Sequence, residues 1–198
     1  FKNVGILDKF FPKDSSFTIK LTKNKITVRH LLTHTSGLGY GLIDGNPKMK
    51  AIYEKEKRKF MPQGVLGFSD SDVTIEETIR RMAKMPLHHE PGEKYTYAIG
   101  IDVLGYLIEI ISGQTLLEFL EKEIFIPLEM KDTYFYIPEE KKNRLVPVLT
   151  KMDGQWSFFS DTRYNVNYPL EGAKKFYSGG AGLSSTIDDY FKFLSIFL

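Results

Sequence analysis

Histidines, serines and a tyrosine are the residues of this chain whose types and spacing could do chemistry. His30 and His34 stand four apart on a segment of helical pattern, which can set two imidazoles on one metal ion. His88-His89-Glu90 could complete such a ligand set, but the glutamate of a His-Glu-x-x-His helix is missing, so no metal site is expected. Gly182-Leu183-Ser184-Ser185-Thr186 narrowly misses the Gly-x-Ser-x-Gly nucleophile elbow and leads into a helix without the second glycine. Ser184 to Thr186 read better as capping residues, with Gly179, Gly180 and Gly182 permitting a close backbone turn. No serine has a lysine three positions on, so the pairing in which an amine takes a seryl proton is absent from these residues. Tyr97, judged by its neighbours alone, is one of eleven tyrosines that could simply pack a core. A free phenol titrates near ~10 and becomes a base only where adjacent ammonium groups stabilise the phenolate.

Longer strings say more than these isolated residues. The segment Ile26-Thr27-Val28-Arg29-His30-Leu31-Leu32-Thr33-His34-Thr35-Ser36-Gly37-Leu38-Gly39-Tyr40 resembles the "RHLLTHTSGL" signature of serine β-lactamases, penicillin-binding proteins and related esterases. The resemblance continues, in order and at similar spacing, through Pro91-Gly92-Glu93-Lys94-Tyr95-Thr96-Tyr97, Leu104-Gly105-Tyr106 and Ser112-Gly113-Gln114. Ile126-Pro127-Leu128-Glu129-Met130-Lys131-Asp132-Thr133 and Gly179-Gly180-Ala181-Gly182-Leu183-Ser184-Ser185-Thr186 extend it over almost the whole chain.

That resemblance implies an α+β fold, an antiparallel sheet flanked by helices plus a helical lobe, to which this chain contributes mostly the helical lobe. It implies acyl transfer through an acyl-serine without metal or cofactor, with Tyr97 as the proton relay between nucleophile, lysine and leaving group. The nucleophilic serine and its lysine are expected outside this chain, before Phe1, and the Lys-Thr-Gly or His-x-Gly motif beyond Leu198. Residues 1–198 are thus expected to be the central part of a single domain. Where the family has Tyr-Ser-Asn or Tyr-Ala-Asn, this chain reads Tyr97-Ala98-Ile99, so the substrate-binding position Ile99 has no polar atom for the amide of a β-lactam. With Leu38-Gly39-Tyr40 and Asp188-Asp189-Tyr190, Tyr97-Ala98-Ile99 looks like the family VIII carboxylesterases and related acyltransferases. An ester substrate is expected ahead of an amide or β-lactam. A β-lactamase or D-alanyl-D-alanine carboxypeptidase, and a non-catalytic binding module of the same fold, stay open. Ser69-Asp70-Ser71 resembles the Ser-Asp-Asn motif of penicillin-binding enzymes but falls at the wrong place in the order and reads as a turn.

These residues need elements to position them. Thr27 is placed to cap a short helix through Leu32 that ends near Ser36-Gly37, and the residues from Met49 to Phe60 fit a solvated helix with a thin apolar stripe. Thr74-Ile75-Glu76-Glu77 is a capping box for a helix with Ile75, Ile79 and Met82 on one face. Ile101, Leu104, Ile108 and Ile111 have helical spacing up to Gly113, and Thr115-Leu116-Leu117-Glu118 opens a helix burying Leu116, Phe119, Leu120 and Ile124. Leu145–Leu149 and Trp156–Phe159 read as a hairpin around Asp153-Gly154. Thr186-Ile187-Asp188-Asp189 starts a helix expected to turn Ile187, Tyr190, Phe191, Leu194 and Phe197 to the core.

Composition narrows the classes. A hydrophobic content of 42% over 198 residues can bury a core, which argues against disorder. A formal net charge of +2 gives no global drive towards nucleic acid. With no cysteine, thiolate nucleophiles, disulfides and cysteine zinc sites are excluded. No apolar run approaches a membrane span, and the first residues do not read as a signal peptide. By resemblance the bacterial envelope is favoured over the cytoplasm. The partner implied is a small-molecule ester, amide or β-lactam.

Overall fold

A computed structural model describes residues 3–41, 44–60, 72–160 and 165–198. It is an α+β arrangement of six α-helices and two small antiparallel sheets among the described residues. The chain opens with β1 (Gly5–Phe11) and β2 (Ser16–Leu21), paired from Gly5 opposite Leu21 to Phe11 opposite Ser16. Ser15, at φ 54°, turns between them. Leu87 extends β1 on its other side, its N–H donating to the Gly5 carbonyl at 2.8 Å and its own carbonyl accepting from Leu7 at 3.0 Å. Residues 5–21 carried no element in the sequence reading. Their turn is built on Asp14 accepting from Ser16, an interaction no longer than two residues.

The capping signals hold where they were read. α1 (Val28–Leu32) is capped by Thr27, with His30 completing the box, and α3 (Ile75–Met82) is capped by Thr74 and Glu77. α1 ends at Leu32 rather than near Gly37, because the chain leaves it through His34 in the left-handed region, at φ 52°. α2 (Pro47–Phe60) buries Met49, Ile52 and Tyr53, the thin stripe expected of it. α4 (Gly100–Ser112) stops at Gly113 with φ 70°, and α5 (Leu116–Leu120) opens on Thr115 and Glu118 before a π-turn over Glu121–Phe125. A hairpin does turn at Asp153-Gly154, both at positive φ as a two-residue primed turn requires, but its first strand, β3 (Leu149–Met152), begins where the expected Leu145–Leu149 strand was to end, and pairs with β4 (Gln155–Phe158). α6 (Ile187–Leu194) is capped by Thr186.

Three expected faces are different. On α4 the buried residues are Gly100, Asp102, Val103 and Gly105, whereas Ile111 is 77% exposed. The cause is close backbone approach: a Cβ on Gly105 would meet the Gly179 Cα at 3.2 Å, so helix and turn meet along the glycine line, not the isoleucine line. On α6 and the 3-10 turn Ser195–Phe197 that follows it, Ile187, Tyr190, Phe191, Leu194 and Phe197 are exposed, and the buried residue is Asp189. Asp189 is drawn inwards because its carboxylate accepts from the Asp132 amide at 2.6 Å and the Thr133 hydroxyl at 3.1 Å. In α5 and its π-turn the buried residues are Leu116 and Phe125; Phe119, Leu120 and Ile124 are half-buried. The main core lies between α1, α2, α3 and the start of α4, and includes Leu31, Ile52, Ile79, Leu87, Ile99 and Val103.

Candidate functional site

Tyr97 lies on the short segment that leads into α4, and the residues on either side of it are fastened. The Thr96 N–H donates to the His34 carbonyl at 2.8 Å, and the Ala98 N–H donates to His34 Nδ1 at 3.2 Å. The Tyr97 ring is stacked on Tyr40 at 5.2 Å with 9° between planes, and lies 4.7 Å from the His34 ring at 35°. Tyr95 meets His34 edge-on at 5.8 Å. Despite these ring contacts Tyr97 is 57% exposed, and among the described residues its hydroxyl has no hydrogen-bond partner. It is therefore no core tyrosine: the ring packs against Tyr40 and His34 and the phenol edge is left open.

The Ser36–Tyr40 loop beneath this phenol is built without slack. Gly37 has φ 78°, and a Cβ there would collide with the His89 carbonyl. The Gly39 carbonyl accepts from the Ile99 N–H at 3.4 Å, and a Cβ on Gly39 would come within 2.7 Å of an Asp44 oxygen. Asp44 accepts from His88 Nε2 at 2.7 Å, from the Tyr40 N–H at 3.3 Å and from the Asn46 N–H at 2.8 Å. Burial raises the Asp44 carboxyl, but the His88 and backbone hydrogen bonds outweigh it and hold its pKa below the ordinary value. Burial, with the Asp44 charge beside it, pushes the Tyr53 phenol above its ordinary range.

Ile99, the second site residue expected from sequence, is 1% exposed and packs in the core as the N-cap residue of α4. Its side chain does not share the surface on which Tyr97 stands. His30 Nδ1 accepts from the Thr27 N–H, and His89 bonds the Glu90 carbonyl and Thr96 Oγ1. The histidine rings are thus engaged in caps and loops, and among the described residues no three His, Cys, Asp or Glu gather as a metal site. Ser184 pairs by backbone with Tyr134, and Ser185 Oγ bonds Thr133 Oγ1 at 2.8 Å. Ser69-Asp70-Ser71 lies outside the described residues.

Sequence reading overlooked Asp102. It is 3% exposed on α4, accepts from Ser178 Oγ at 2.5 Å and from the Gly180 N–H at 3.3 Å, and joins the Gly179-Gly180 turn to the helix that starts just after Tyr97. Burial raises its pKa, opposed by those hydrogen bonds. The available signal was a carboxylate on an apolar helix, because such a group is retained only if something satisfies it.

Residues 18–198 match the Beta-lactamase family. The chain belongs to that family. Protein Rv1367c of Mycobacterium tuberculosis is 31% identical to it over 176 residues, which cover 89% of this chain and 39% of that protein. Esterase EstB of Burkholderia gladioli is 36% identical over 121 residues, covering 59% of this chain and 28% of the esterase. Among solved structures, EstCE1, a hydrolase with promiscuous acyltransferase activity, superposes with TM-score 0.70 at 26% identity, covering 84% of this chain and 44% of EstCE1. The LovD6 mutant of simvastatin synthase from Aspergillus terreus superposes with TM-score 0.69 at 26% identity, covering 97% of this chain and 41% of the synthase. This beta-lactamase-family chain thus has the β-lactamase/transpeptidase-like fold, and its matched residues cover less than half the length of these relatives. Among the described residues no single helix is long and apolar enough to cross a membrane.

Proposed function

We propose that this chain carries the proton-relay tyrosine of a serine-dependent acyl hydrolase or acyltransferase, with Tyr97 in that role. The observation that carries it is the state of Tyr97: ring held by Tyr40 and His34, main chain fastened on both sides, phenol edge exposed. A proton relay needs a phenol whose position is set before reaction, because misplacement by about 1 Å can cost ~10²-fold in rate. It also needs the oxygen within reach of both nucleophile and leaving group, and a phenol with no hydrogen-bond partner among the described residues is free to make those contacts.

In the reaction so read, a serine outside residues 1–198 attacks the acyl carbonyl while its proton passes by way of a lysine and Tyr97 to the leaving group. Backbone N–H groups hold the developing oxyanion, and water or an alcohol then releases the acyl group. An ester is favoured over a β-lactam because position 99 holds a buried isoleucine, which presents no amide to a substrate. The names of the similar proteins, an esterase and a hydrolase with acyltransferase activity, support the same class.

In the intact protein, Tyr97→Phe should lower turnover of p-nitrophenyl acetate by about 10²-fold or more while leaving the melting temperature close to wild type. Unchanged turnover would remove Tyr97 from the mechanism. Failure of a fluorophosphonate to label any serine would favour a binding module of the same fold.

A further inference from the structure

We propose that His34 is the positioning residue for Tyr97, an inference that rests on the proton-relay reading of that tyrosine. Three contacts converge from this one residue. Its carbonyl takes the Thr96 N–H at 2.8 Å, its Nδ1 takes the Ala98 N–H at 3.2 Å, and its ring lies 4.7 Å from the Tyr97 ring. The residue before Tyr97, the residue after it and the phenol ring itself are thereby referred to a single side chain and its own peptide group.

The backbone conformation of His34 supports this assignment. Its φ of 52° is in the left-handed region, uncommon for residues other than glycine although histidine, asparagine and aspartate enter it more readily than most, and the residue follows Thr33, the C-cap of α1. Unusual backbone of this kind persists where surrounding contacts over-determine it. Here it accompanies an arrangement in which carbonyl and imidazole of the same residue both reach one stretch of neighbouring chain. His89 is built differently: both of its ring nitrogens are taken up by Glu90 and Thr96, so it braces the loop and does not touch the Tyr97 ring.

Because Nδ1 accepts from an amide, it carries no proton there, and the function required of it is that of a fixed acceptor. An asparagine places Oδ1 at the branch position of Nδ1 and tolerates φ above zero, whereas a glycine keeps the backbone conformation and the carbonyl bond but removes acceptor and ring together.

The test uses the intact protein and p-nitrophenyl acetate, with melting temperature as the folding control. His34→Gly should lower kcat about tenfold or more with KM changed less than about twofold, and His34→Asn should recover a large part of that loss. In a Tyr97→Phe background, His34→Gly should cost less than about twofold more, because a residue that acts through the phenol has nothing left to position. An undiminished loss in that background would show that His34 acts on the fold at large and would overturn the proposal. So would an unchanged kcat for His34→Gly while Tyr97→Phe is impaired. Full turnover by Tyr97→Phe alone would overturn the relay reading, and the positioning role with it.

Discussion

Ser178 and Asp102, 76 residues apart in sequence, meet through a hydroxyl–carboxylate hydrogen bond of 2.5 Å in the interior. The contact ties the turn before α6 to the helix that begins just behind Tyr97, so the geometry of the candidate site depends on a carboxylate that takes no part in the proposed chemistry. Asp102 also receives the Gly180 N–H, and Ser178 Oγ in turn accepts from Ala181, which makes the turn a small closed network around one acid.

Burial raises the folded-state pKa of Asp102 above its unfolded value near ~3.9, so its contribution to stability is present below that pH and lost as pH rises through the folded pKa. Asp102→Asn removes that dependence. The stability of the variant relative to wild type should therefore increase as pH rises from about 4, read from urea midpoints at several pH values. A pH-independent difference would show that the acid does not titrate in this range.

Gly179 lies against α4 with no room for a side chain: a Cβ there would be 2.6 Å from the Ile101 carbonyl oxygen and 3.2 Å from the Gly105 Cα. Both are backbone atoms, which cannot swing aside as a flexible side chain would. Gly179→Ala should cost about 1–3 kcal/mol, as overpacking of a tight contact does. Gly45, where an added Cβ would meet nothing within 4 Å among the described residues, provides the control, and Gly45→Ala should stay within about 0.5 kcal/mol of wild type. Equal effects of the two substitutions in denaturant titrations would rule out the packing explanation.

His88 donates to Asp44, whose carboxylate supports the Tyr40 amide under the Tyr97 stack; the two side chains are 11% and 3% exposed. His88→Leu leaves that buried carboxylate one charged hydrogen bond short and should destabilise by about 1.5–3 kcal/mol. Since the folded pKa of Asp44 is depressed, its stabilising contribution is present above ~3.9 and is lost as pH falls through the folded value. The wild type should accordingly weaken in acid more steeply than Asp44→Asn, as followed by thermal melts between about pH 5 and pH 2. Parallel acid limbs would contradict this.

Local rules accounted for much of what the sequence showed. Thr27, Thr74, Thr115 and Thr186 could be read as caps because a capping bond spans three residues, and Asp153-Gly154 as a hairpin turn because that geometry needs two positive φ values in succession. The strings around His30–Tyr40 and Tyr97 carried the family resemblance, and with it the fold class and the one residue proposed for the chemistry. Apolar spacing held for the stripes of α2 and α3 but was a poorer guide elsewhere, since the α4 row is only half-buried up to Ile108 and exposed at Ile111, and the aromatic row of α6 is exposed.

Sequence alone thus determined the helix-capping residues, the family and the choice of Tyr97, all of which depend on short-range geometry or on a long matching string. The tertiary structure decided that Ile99 packs inwards, that Asp102 holds a turn from the far end of the chain, and that His34 stands against Tyr97. The physical reason is the same in each case: burial and partnership depend on where distant segments approach. Here close contact between Gly105 and Gly179, and the left-handed exit of the chain at His34, set those approaches.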